Sequence, residues 1–361
     1  MNVHTDVAWS LVLPLAVLSS FGACHGGGGS RGPDKSDSST TEATIDSSKW
    51  LRSSKGIRGL FEDSRGALWF TSTDYVCRFD GKDFRYFTEA DGLMGIGQVD
   101  EDADGHIWIS TGTNACRFDG ERFTAHTLTP DTTGNRWAAA PDDIWFPKGI
   151  PPSSRSEGPP GVYRLHEGAI DFLPFPLPAS DNADNIHPQT TRAIKGRDRT
   201  IWFGTMEIVV GFKDGAFTLI GREEMGRAND PVPVGIRGLY ADPKGRLWIA
   251  DNGSGVYVCD GDTVINFTKT HHLGKGDREG NTLHRSFCVA EDNNGAMWFG
   301  TVYSGIWRFD GTSFTNYTEQ DGARSTSYWT IFKNRKGELL FCGELPGAVY
   351  KFNGRSFDRI F

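Results

Sequence analysis

The chain has 361 residues, 37% of them hydrophobic and 12% aromatic, and 46 acidic against 38 basic residues leave a net charge of -8. That is ample apolar material for a large core. The acidic balance argues against a general nucleic-acid or anionic-membrane binder.

Taken in order, residues 7–21, VAWSLVLPLAVLSSF, form an apolar run of 15 interrupted by Pro14. A spanning helix needs about 20 such residues, so the run suits the core of a signal peptide. It ends in Phe21-Gly22-Ala23-Cys24, which resembles a bacterial lipoprotein signal, where small residues precede a Cys that is lipidated after cleavage. Phe21 in place of Leu and a leader without Lys or Arg depart from that pattern. The expectation is a leader over 1–24 with lipid on Cys24, anchoring the protein in a bacterial envelope, at the outer membrane, without spanning it. Without that lipid the protein would be secreted. Residues 25–48, mostly Gly, Ser, Thr and Asp, read as a flexible tether, and 49–361 as the folded domain.

From residue 56 onward one phrase recurs. Gly66-Ala67-Leu68-Trp69-Phe70 with Arg78-Phe79-Asp80-Gly81 returns as Gly105-His106-Ile107-Trp108-Ile109 with Arg117-Phe118-Asp119-Gly120. It returns again around Trp145, Trp202, Trp248 and Trp298, and finally with Leu340 in the tryptophan place. A fixed period of this kind marks a repeat architecture. In the first repeat, Ile57 to Phe61, Ala67 to Thr71, Tyr75 to Phe79 and Phe84 to Phe87 predict strands A, B, C and D. Asp63-Ser64-Arg65-Gly66 and Asp80-Gly81 supply tight turns. Seven such units predict an all-β chain folded as a seven-bladed β-propeller, four antiparallel strands per blade, with the tryptophans between blades. A count from strand A to strand D offers no strand exchange to close the ring, and Lys49-Trp50-Leu51 offers an additional strand. Cys77, Cys116, Cys259, Cys288 and Cys342 show no metal spacing and read as small core residues.

The repeats resemble the two-component regulator propeller family. The matching residues are Glu62-Asp63, Gly66, Leu68-Trp69, Thr71, Arg78-Phe79-Asp80-Gly81, Phe84 and Asp91-Gly92-Leu93, and again Glu291-Asp292, Gly300-Thr301 and Tyr317-Thr318. The resemblance covers 55–361. It implies a periplasmic sensor domain of a type that in some members recognises oligosaccharides. Kinase and DNA-binding motifs are not found here, so signalling would need a separate envelope partner.

Alternating strand direction puts the A–B and C–D turns on one face of the ring. The B–C and D–A connections, which hold nearly all the length variation, fall on the other. A binding site is therefore expected on that second face, over the central channel. Arg58, Arg136, Arg192, Arg237 and Arg285 lie at or near the start of strand A in their repeats, and Arg324 slightly before it. Trp137, Tyr303, Tyr328 and Trp329 lie near the same rim. Several guanidinium forks beside aromatic rings would suit a carboxylate, sulfate or phosphate on a saccharide. The competing reading makes these arginines paired or solvated and the aromatics core. Asp100-x-Asp102-x-Asp104-Gly105 copies the opening of a calcium loop, but Thr111 stands where a bidentate Glu is needed, which favours a plain turn. No metal or cofactor is expected. An enzymatic alternative, a propeller lyase or hydrolase, would draw on His187, Glu207, His284 and Glu344. A purely structural protein-interaction platform is a third reading.

Overall fold

The computed structural model describes residues 44–46, 48, 50–52, 54–95, 97–131, 133, 136–148, 159–177, 191–230 and 234–361. The expected leader, Cys24 and most of the tether lie outside these residues, as does His187.

The protein is a seven-bladed β-propeller built almost without helix. Seven antiparallel sheets follow one another along the chain, each pairing its strands in chain order. In the first blade they are Ile57–Glu62, Leu68–Ser72, Val76–Phe79 and Phe84–Phe87. The A strands of successive blades lie against one another and form the inner wall. The seven tryptophan-place residues all fall on B strands, from Leu68–Ser72 in the first blade to Leu339–Glu344 in the seventh. Alternation along strand B then sends this residue and its successor toward opposite neighbouring blades.

This gives the ring its mortar. Trp108 packs on Phe146, Trp145 on Phe203, Trp248 on Phe299 and Trp298 on Phe341, with ring centroids 5.2–6.0 Å apart. In each case the phenylalanine directly follows the tryptophan-place residue of the next blade. Leu340 completes the circle by sharing one core with Phe70, which follows Trp69. A buried tryptophan removes about 200 Å² from water, on the order of 5 kcal/mol before entropy is counted.

A second repeated device holds each tryptophan. The indole N–H of Trp69, Trp108, Trp248 and Trp298 donates to Asp63, Asp102, Asp242 and Asp292 at 2.8–2.9 Å. The other oxygen of the same carboxylate accepts two backbone N–H groups of the A–B turn, as at Asp63 from Arg65 and Ala67. One carboxylate thus closes the turn and seats the interblade ring.

The ring closes as its other joints do. The loop after strand B donates a backbone N–H to the lead-in of the next blade: Gly253 to His284, Tyr303 to Thr326, and Leu345 to Lys55 across the closure. The C-terminal Phe361 adds rings 5.1 and 5.2 Å from Phe70 and Phe79 of the first blade. The additional strand is Thr44–Asp46, paired outside Phe84–Phe87, whereas Trp50 and Leu51 lie in no strand. The sheet of the first blade thus includes residues ahead of position 49.

The third blade departs from the others. Its sheet has three strands among the described residues: Ile144–Pro147, Gly161–His166 and Ala169–Pro174. Trp137 of the preceding segment instead lies between the third and fourth blades. It is within 6.0 Å of the rings of Trp145, Phe175, Phe203, Phe212 and Phe217, and its indole N–H donates to the Pro174 carbonyl. All five described cysteines are buried.

Candidate functional site at the channel mouth

Four A strands carry a bulge at one repeat position, and the residue left unpaired is Arg58, Arg237, Phe287 or Trp329. A bulge re-aims the side chain it carries. Here the four residues come from the first, fifth, sixth and seventh blades, which adjoin around the closure. The Arg237 guanidinium lies 5.8 Å from the Phe287 ring, Phe287 meets Trp329 edge-on at 4.4 Å, and Arg58 lies 3.7 Å over Trp329. The result is a continuous run of cation, ring, ring and cation on the inner wall.

The two cations differ in electrostatics. Arg58 pairs with Glu344, and the other oxygen of Glu344 accepts the Trp329 indole N–H at 2.6 Å. Burial lowers the Arg58 pKa and Glu344 partly restores it. Arg237 has no hydrogen-bond partner among the described residues, and its Nε is buried. Burial lowers its pKa too, offset in part by the charge of Asp251. Arg285 donates from Nε to the neutral Asn252 side chain at 3.0 Å and lies 5.5 Å from the Tyr303 ring. Tyr303 is 68% exposed and holds a left-handed backbone, φ 65°. Such a conformation costs a non-glycine residue about 1–2 kcal/mol. This sector therefore offers two guanidinium groups without a carboxylate partner beside an exposed ring.

Five of the expected rim residues thus fall into two contacting groups, Arg58, Trp329 and Arg237 along the run through Phe287, and Arg285 with Tyr303. The others lie elsewhere. Arg192 reaches across the gap left by the third blade to the Val99 carbonyl and to Asp100, with Phe61 5.7 Å away. Arg136 is exposed, and Arg324 likewise. Trp137 fills the space between blades, and Tyr328 is wholly buried with its hydroxyl accepting from the Ser325 N–H. Both aromatics are core rather than rim. Phe287 was not singled out from the sequence; its signal is its place, the same distance ahead of the repeat's tryptophan as Arg58 and Arg237.

No hydrogen bond joins Glu207, His284 and Glu344 among the described residues, and His187 lies outside them. Glu344 is engaged as above, His284 contacts the Thr282 hydroxyl, and burial together with Arg285 and Lys275 lowers the His284 pKa. Asp102, Asp104 and His106 come within metal-ligand distance of one another. Yet Asp102 already serves two backbone N–H groups, the Trp108 indole and the His106 ring, as its counterparts serve the turns of other blades.

No family model matches the chain, and no curated protein does. Among solved structures, a catalytically inactive virginiamycin B lyase from Staphylococcus aureus with quinupristin is similar at TM-score 0.57 and 17% identity, over 85% of this chain and 98% of that one. YCF48 bound to D1 peptide is similar at TM-score 0.56 and 11% identity, over 87% of this chain and 98% of that one. The extracellular domain of a protein described as a hybrid two-component system from B. thetaiotaomicron gives TM-score 0.39 and 16% identity, over 84% of this chain and 45% of that one. At these identities the likeness is one of fold. No helix among the described residues is long and apolar enough to cross a membrane.

Proposed function

We propose that this protein is a non-catalytic, sensor-like binding module whose ligand is an acidic saccharide or similar anion held at the channel mouth. The observation that carries this is the Arg237 guanidinium, without a hydrogen-bond partner among the described residues, beside Phe287 on the wall that also presents Trp329. A half-buried cation with no hydrogen-bonded carboxylate is costly by itself, and an anionic ligand would complete it. The exposed aromatic edge suits the flat face of a sugar ring. A titration of uronate-containing or sulfated oligosaccharides against neutral ones tests this. Arg237→Ala should weaken acidic ligands by about 2 kcal/mol, roughly thirty-fold, and leave neutral ligands unchanged. Equal affinity for both classes, or no binding by either, overturns the reading.

The reading includes export, a lipid anchor on Cys24 and an envelope partner that relays occupancy. It is supported by the apolar run 7–21 and the small residues before Cys24. Incorporation of labelled palmitate that survives Cys24→Ala would remove the anchor.

A further inference from the structure

We infer a second ligand site on the opposite face of the ring, between the third and fourth blades, for a small anion that carries an apolar body. A cavity of about 310 Å³ opens there. Its floor is apolar, formed by Trp137, Ile201 and Phe212, and Ala138 to Ala140 keep it open by being small. Its rim carries Lys195, Arg199 and Lys213, with Asp214 as the opposing charge. Strand direction places it with the A–B and C–D turns, away from the channel mouth.

Three observations point to a ligand. First, Ala139 and Gly196 in the two flanking blades stand where Asp63, Asp102, Asp242 and Asp292 stand, so neither turn is closed by that carboxylate; the carboxylates of these turns, Asp143 and Asp198, are instead engaged by the Ala140 N–H and by Thr200 and Lys213. Second, the side chains of Lys195 and Arg199 have no hydrogen-bond or ion-pair partner among the described residues, while Lys213 pairs with Asp198 at 3.0 Å. Third, Arg199 occupies the turn position held by Gly66, Gly105, Gly245, Gly295 and Gly337, and like them it has a positive φ, 71°. Glycine adopts that backbone without strain and arginine does not. A strained cation at the mouth of an apolar cavity, its neighbouring carboxylate Asp198 already engaged by Lys213 and Thr200, is an arrangement for a charged head and an apolar tail.

This site stands independently of the channel mouth, and calorimetric titration with phenyl phosphate tests it. Phenyl phosphate should bind saturably at one site, roughly ten-fold or more tighter than inorganic phosphate or benzyl alcohol. The double substitution Lys195→Ala with Arg199→Gly should remove that binding, and Arg237→Ala should leave it intact. Arg199→Gly restores the turn glycine, so the double variant should melt no lower than the parent, which separates loss of the site from loss of fold. The inference fails if phenyl phosphate binds no tighter than either control, if the double variant binds unchanged, or if Arg237→Ala abolishes binding.

Discussion

Asp242→Ala tests whether the repeated carboxylate holds the ring together. Asp242 is 2% exposed and accepts the Trp248 indole N–H at 2.9 Å, the Arg246 and Lys244 backbone N–H groups, and Arg246 Nε at 2.7 Å. Truncation strands the indole donor inside the interblade core, at about 1–3 kcal/mol, and removes two turn bonds worth about 1 kcal/mol each. The expected loss is about 4 kcal/mol. The seventh blade supplies the control. There Asn334 closes the same turn through Lys336 and Glu338, but Leu340 makes no polar demand. Asn334→Ala should therefore cost only about 2 kcal/mol. Burial alone would raise the Asp242 pKa. The Trp248 indole, the Arg246 backbone N–H and the Arg246 guanidinium overcome that and leave it below the ordinary carboxylate value. A depressed folded pKa means the stabilisation is fully present at neutral pH and is lost as the pH falls below about 4 through the folded value. Urea unfolding at pH 7 and near pH 3 measures all of this. Equal losses at Asp242 and Asn334, or a gap that does not narrow in acid, would refute the reasoning.

Tyr303→Gly should relieve the left-handed backbone and raise stability by about 1 kcal/mol in urea unfolding while weakening any ligand held at the mouth. Phe361→Ala should cost about 2 kcal/mol, because its ring joins Phe70 and Phe79 across the closure; a neutral result in the same assay would mean the loop bond from Leu345 to Lys55 closes the ring without it. Calcium should leave the melting temperature unchanged, since Asp102 is committed to its turn; a calcium-dependent rise in a thermal melt would show a metal site there instead.

The propeller was legible because its determinants are local and repeated. A tryptophan flanked by apolar neighbours, a turn glycine and a carboxylate ahead of them each act within one blade, and the sevenfold return removes ambiguity about strand and turn. The site was legible only as a set of positions. Arg58 and Arg237 share one repeat position, yet one is neutralised by Glu344 and the other is left without a partner. That difference depends on what the neighbouring blade presents, which the spacing within a repeat does not encode. Tyr328 and Trp329 are consecutive, but the bulge between them and the ladder sends one into the core and the other onto the inner wall. Trp137 and Arg192 found their places where the third blade has no inner strand among the described residues, a long-range consequence of packing. The chain thus determined by itself the blades and their mortar; which charges stay unpaired was decided only when the blades were brought side by side, because pairing of charges is a property of neighbours in space.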